Sequence, residues 1–189
     1  MELFRNIRLK AGKALLYRKL VSRRRKPFIT NLSNIKNIGI VWDASNPDEF
    51  LLLSRFHQKM HERNIDVKIL GYFPGKDLPD QYTAIRFLTC LKKQEVDFLY
   101  RPLSSQINSF INHRFDLMID INFKKLFPLV YISSLSLAGL KVGLADKKPE
   151  ASQFDLMIEL RNPVNIENYL SQVLFYLEMI NSESAKKVV

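Results

Sequence analysis

Cysteine and glycine are the scarce residues of this chain, and their scarcity closes several routes to function. Cys90 is the only cysteine among 189 residues, so neither an intramolecular disulfide nor a thiolate zinc cage can form, and a reducing, cytoplasmic setting is expected. It sits in an apolar run, where a cysteine reads as a small core hydrophobe. Only six glycines occur, none in a GxGxxG or Walker arrangement, which argues against a glycine-rich phosphate cradle. No apolar run approaches the roughly 20 residues that cross a bilayer, and the first residues do not read as a signal peptide. Catalytic motifs are thin as well. His57 and His61 stand i, i+4 in "FHQKMHER" but lack the glutamate of HExxH, which leaves them on a helix surface or boundary. Ser104 and Ser105 have no nucleophile-elbow context, and His113 lies too close to them to complete a triad.

What the chain has in excess is positive charge, and that charge is concentrated. Residues 1–26 hold ten bases (Arg5, Arg8, Lys10, Lys13, Arg18, Lys19, Arg23, Arg24, Arg25, Lys26) against Glu2 alone, so they carry +9 of the net +10. The remaining residues are nearly balanced. Within 2–25 the pattern predicts a helix ended by Pro27. Leu3, Phe4, Ile7, Ala11, Ala14, Leu15 and Val21 make one broad apolar stripe, and Leu9, Leu16 and Leu20 a second, narrower one.

From Ile35 onward, β-branched apolar runs alternate with amphipathic segments, the pattern of a parallel sheet covered by helices. Strands are expected at 37–43, 66–73, 96–100, 115–121, 140–146 and 154–160, and helices at 47–63, 80–93, 104–112, 125–138 and 165–181. Asn46 before Pro47, Ser104 and Asn165 are natural N-caps. Only "KKPEASQ" separates the last two strands, which favours an antiparallel sixth strand. "FDLMIDI" and "FDLMIEL" are nearly identical heptapeptides with unrelated flanks, read as two solutions to one buried-strand problem. Trp42 is expected in the core. The fold class is α/β: a single Rossmann-like three-layer domain over 35–181 with a mostly parallel, five- to six-stranded sheet. A basic amphipathic helix (1–26) and a connector (27–34) precede it, and a flexible tail (182–189) follows.

In such a sheet ligands bind outside the carboxyl ends of the strands, where the strand order reverses. Asp43, Asp120 and Asp146 fall at or near strand ends, and a 3-2-1-4-5 order brings Asp43 and Asp120 together as candidate ligands of a divalent cation. "VWDASN", with Asp43 and Asn46, followed by "DLMIDINFKKLFPLVYISSLSLAGLKVGL", resembles the layout of PIN/NYN-type nucleases. That likeness implies magnesium or manganese as a cofactor and metal-activated water, although "DINFKKLF" places two lysines where a further acid is expected. The same stretch resembles a strand–helix–strand unit of heptosyltransferase-type enzymes, over about thirty residues and without the second domain those sites need. Over nearly its full length, from the basic helix through "NIGIVWDAS" and "FDLMIEL" to "SQVLFYLEMIN", the chain resembles a family of uncharacterised small proteins common in Bacteroidota. This implies a cytoplasmic α/β protein of open function, and outside the nuclease reading no cofactor is expected.

The basic helix therefore carries the functional expectation. One reading makes it a solvated element packed on the sheet domain. A second has Arg5, Arg8, Lys13, Arg18, Lys19, Arg23, Arg24, Arg25 and Lys26 meeting the phosphates of RNA, most naturally on the ribosome. A third lays its broad stripe into an anionic membrane surface, which would make the protein peripheral. The arginine-rich "RRRK" favours phosphate contacts over lipid, and Ala11 and Ala14 suit close packing on protein. A non-catalytic adaptor, with a body that recognises a protein or ligand, is the expectation that results.

Overall fold

The computed structural model describes residues 2–146, 152–161 and 163–180; the tail expected at 182–189 lies outside these. The strands are β1 (Asn37–Asp43), β2 (Asp66–Phe73), β3 (Leu88–Lys92), β4 (Leu117–Ile121), β5 (Leu140–Leu144) and β6 (Leu156–Ile158), and the helices are α1 (Glu2–Ser22), α2 (Phe50–Glu62), α3 (Ser105–Asn112), α4 (Phe127–Leu135) and α5 (Ile166–Met179). All six strands are parallel, in the order β3-β2-β1-β4-β5-β6. Right-handed crossovers put α2 on one face and α3 and α4 on the other, because the order reverses between β1 and β4. Strand residues alternate accordingly. Ile38, Ile40 and Trp42 pack with α2 and α5, whereas Val41, Leu70 and Met118 pack with α3, α4 and Leu16 of α1. Both faces are covered, which is why the runs are apolar almost throughout. Trp42 is fully buried, with its indole N–H donating to Glu49 at 3.1 Å.

The third strand is not where periodicity put it. Residues 80–93, expected as a helix, contain a short 3-10 turn (Asp80–Tyr82) and then β3, and the expected strand at 96–100 is a turn. Leu88 and Leu91 have the i, i+3 spacing of a helix. In a strand the same spacing sends them to opposite faces, and here both faces are buried. In the turn, Asp97 accepts the N–H groups of Leu99 and Arg101, each at 2.8 Å, and binds the Arg101 guanidinium.

The paired heptapeptides perform one local task twice. Asp116 accepts the N–H groups of Lys36 and Asn37 beside β1, and Asp155 accepts that of Lys141 in β5 at 2.8 Å. Phe115 covers Gly39 so closely that a Cβ there would stand 2.7 Å from its ring, and Phe154 covers Gly143 in the same way. The Phe-Asp pair thus sets a strand's entry beside a neighbour whose glycine leaves room for the ring. The device that makes β4 parallel to β1 also makes β6 parallel to β5, which corrects the expected antiparallel edge. The strands end earlier and begin later than expected, at Leu144 and Leu156, so the connection approaches the dozen residues a parallel crossover needs.

The first helix packs through its narrower apolar strip. Leu16 is buried and Leu9 and Leu20 are half-buried against α4, while Leu3, Phe4, Ile7 and Val21 are 71%, 72%, 55% and 75% exposed. Ala11 and Ala14, expected to suit close packing, are also exposed. Gly12 takes the close-packing role instead, since a Cβ at that position would stand 2.6 Å from the Leu99 carbonyl oxygen and 2.9 Å from the Phe127 ring. The helix stops at Ser22, three residues short of the expected end. Residues 23–26 have no regular secondary structure; Arg23 and Arg25 are half-buried, and Arg24 and Lys26 are exposed.

Gly12→Ala tests this docking by its sign. In an exposed helix the change stabilises by about 1 kcal/mol. Against the Leu99 carbonyl it should instead cost roughly 1–3 kcal/mol, as overpacking does, lowering the urea midpoint; a raised midpoint would show that α1 does not approach the body.

Candidate functional site

Strand register decides how the carboxylates at the sheet's edge can meet. Asp120 pairs with Val41, two residues before Asp43, so the two acids share a face of the sheet without standing opposite each other. Asp43 and Asp146 each have their own cation. Lys124 Nζ lies 2.9 Å from Asp43 Oδ2, and Lys125 Nζ lies 2.6 Å from Asp146 Oδ2. Asp43 also accepts the N–H and hydroxyl of Ser45. Asn46 accepts the N–H of Asp48 as the cap of a 3-10 turn that leads into α2, as its sequence context predicts. Among the described residues no three His, Cys, Asp or Glu side chains come together. Magnesium and manganese need oxygen ligands around an open position; at Asp43 and Asp146 those oxygens are taken by the lysines of "DINFKKLF". Among the described residues, the donor sets at Asp43 and Asp146 do not fit a divalent cation.

Asp120 belongs to a different arrangement, and Lys141 is its centre. Lys141 is a buried lysine inside an apolar strand, and its Nζ donates to the Ser133 and Ser134 carbonyls at 2.7 and 2.9 Å. It therefore caps α4 where the helix dipole is negative. Asp120 accepts the Asn122 N–H at 2.8 Å and lies within hydrogen-bonding reach of the Ser133 hydroxyl. Gln153 joins the cluster through Ser133 and Ser134. Burial raises the Asp120 carboxyl to about 6, against the pull of Ser133, Asn122 and Lys141, and burial with the Arg25 charge lowers the Lys141 ammonium to about 7. Beside the cluster lies a cavity of about 290 Å³, lined among the described residues by Asp120, Asn122, Phe123, Ser134 and Gln153, with Leu20 of α1 at its wall. The signal for Lys141 in the sequence was a lone charge in "LKVGL", since lysine is almost never buried without a partner.

The N-terminal bases divide into two groups. Arg8 donates to the Phe98 carbonyl at 2.6 Å and lies over the Phe98 and Tyr100 rings. Lys19 donates to the Tyr131 hydroxyl at 2.7 Å. Arg23 reaches the Ile111 carbonyl and the Asn112 side chain at the end of α3. Arg25 grips Asp155 with two parallel bonds, 2.7 and 2.5 Å, and also donates to the Ala138 and Gly139 carbonyls beyond α4. These four hold α1 to the body. Arg5, Lys13, Arg18, Arg24 and Lys26, together with Lys10, are exposed and make no bond to a described partner.

The remaining sequence candidates are structural. Ser104 caps α3 and Asn165 caps α5. His57 lies against Phe87 with ring centroids 3.8 Å apart, and burial, then the neighbouring His61, lowers its pKa. Burial raises the Cys90 thiol to about 12, so it stays protonated.

The folded state holds the Asp120 proton more tightly than the unfolded chain does. That contribution to stability is complete below about pH 4 and is lost as pH rises through about 6. Asp120→Asn should therefore flatten the fall in urea midpoint between pH 4 and 6.5 relative to the parent protein. Parallel pH profiles would place Asp120 in a solvated setting.

No curated protein and no solved structure matches the chain. Residues 8–180 match a family of unknown function, DUF6913, so that all of the sheet and most of the basic helix fall inside the shared region, and the chain belongs to that family.

Proposed function

We propose that the protein is a non-catalytic adaptor that docks on RNA, most naturally on the ribosome, through the outward side of α1. The observation that carries this reading is the set of bases left over once α1 is docked: Arg5, Lys10, Lys13, Arg18 and Lys26 are exposed without a described acceptor. Uncompensated like charges on a fixed helix are relieved when a polyanion meets them. Asn6, Lys10, Lys13 and Tyr17 recur at i, i+4, i+7 and i+11, which places them on one ridge. Tyr17 is 70% exposed among these bases and offers a ring on which an unpaired base stacks. The lysine-occupied carboxylates support a role without metal-dependent hydrolysis.

An anionic membrane surface is the second reading, and a specific observation favours it. Leu3, Phe4, Ile7 and Val21 form an exposed apolar stripe that RNA does not require, whereas an interfacial helix buries such a stripe among the acyl chains.

A salt titration of binding to ribosomes and to vesicles of anionic lipid tests both. On the RNA reading, changing Lys10, Lys13 and Arg18 to glutamine reduces the slope of log affinity against log salt by about 2, at roughly 0.7–0.9 per phosphate contact; an unchanged slope would overturn it. Flotation with anionic vesicles that disappears when Phe4 and Ile7 become serine would establish the membrane reading in its place.

A further inference from the structure

The inner side of α1 carries a feature that its outward face does not account for. Where the last turn of α1 and the residues after it cross α3 and α4, a cavity of about 460 Å³ opens. Three cations line it, Lys19, Arg23 and Arg24, together with the polar side chains of Ser22, Asn108 and Asn112. No carboxylate is among the lining residues.

The positions of the three cations follow from the fold. Lys19 and Arg23 are four residues apart across the end of α1, both reach groups of the body, and Tyr131 of α4 fixes the Lys19 ammonium at 2.7 Å. Arg23 spends one guanidinium nitrogen on the Ile111 carbonyl and Asn112 Oδ1, at 3.2 and 2.9 Å. Its Nε is buried and has no hydrogen-bond partner among the described residues. Burial lowers the Arg23 pKa, and the neighbouring Tyr131 opposes that. Arg24, at the cavity's edge, has no described partner at all. Arg25 has Asp155 close by and Lys141 has Asp120, whereas no acid lines the space around Arg23. Here three cations surround a space that no carboxylate lines, and an acceptor-rich anion supplies the missing counter-charge.

We propose that this cavity binds a phosphate group, with Lys19, Arg23 and Arg24 supplying charge and the Asn108 amide supplying a hydrogen bond. The inference goes beyond the docking reading and does not depend on it, because the cavity lies on the inner side of α1. Its volume exceeds that of one phosphate and is in the range of small-ligand sites, so the phosphate arrives attached to something larger. That carrier is either a nucleic-acid end or a small phosphorylated metabolite, and the chemistry of recognition is the same for both.

The test uses the full chain and follows backbone amide resonances at constant ionic strength, with inorganic pyrophosphate, adenosine 5′-monophosphate, and short RNA with a 5′-phosphate or a 5′-hydroxyl as probes. Saturable binding of pyrophosphate is expected, with shifts centred on residues 19–24 and 108–112. Arg24→Ala and Asn108→Leu change exposed positions and leave the packing of α1 intact; each should weaken binding about tenfold or more, while Arg86→Ala on the body should not. A preference for 5′-phosphorylated over 5′-hydroxyl RNA identifies a nucleic-acid end as the carrier, and equal occupancy by the mononucleotide identifies a small ligand. Non-saturating shifts, shifts reproduced by chloride, or parent-like binding in both variants would overturn the proposal. Pyrophosphate binding that survives in the Lys10, Lys13, Arg18 triple variant, alongside lost ribosome binding, would separate this site from the docking face.

Discussion

Asp155 is the point at which the parts of this molecule are tied together. Its carboxylate receives two parallel bonds from Arg25 and a third from the Lys141 N–H. One side chain thus fixes the edge strand β6 beside β5 and anchors the tail of the N-terminal helix. Arg25 extends the tie to the carbonyls of Ala138 and Gly139, just before β5 begins. Arg23 does the same at the end of α3, and Lys141 does it from inside the sheet at the end of α4. Three cations thereby satisfy carbonyls at or near the ends of the two helices on one face, where the helix dipole favours positive charge. Charge-assisted bonds in partly buried positions are stronger than neutral ones, so the arginine block is first of all an element of architecture.

That architecture determines what is left for function. Once the inward bases are committed, the outward ones have no described acceptor, and the broad apolar stripe stands in water opposite the packed side. At the carboxyl edge of the sheet, the acids have partners of their own. Lys124 and Lys125 neutralise Asp43 and Asp146, and Asp120 is drawn into the buried network around Lys141. Charge is compensated at the edge and uncompensated among the described residues along α1, and the proposed docking role rests on this contrast.

Much of the frame was legible from residue pattern alone. Five of the six strands lie within or close to their expected runs, and the reversal of order between β1 and β4 follows from them. Asn46, Ser104 and Asn165 cap where their neighbours suggest, because a cap is a local interaction. What escaped was set by contacts between distant segments. Leu88 and Leu91 suit a helix or a doubly buried strand equally well, and only the neighbouring β2 selects the strand. On α1, the count of apolar residues favoured the wrong face. Gly12, the half-buried Leu9 and Leu20, and bases that end on carbonyls and tyrosine contribute little to hydrophobic periodicity, yet together they make the better interface. The repeated Phe-Asp pair was visible, but its meaning depends on Gly39 and Gly143, which lie in other strands.

The claim beneath all of this is that α1 is part of the folded body and presents its outer face from a fixed position. Hydrogen exchange along residues 9–20 in the full chain measures it directly. An isolated helix of this length is marginal in water, so docking through Gly12, Leu16, Arg23 and Arg25 should give these amides protection comparable to that of α4, with the last turn losing protection in Asp155→Ala. Exchange of residues 9–20 at the rate of an unstructured peptide in the parent protein would contradict the account.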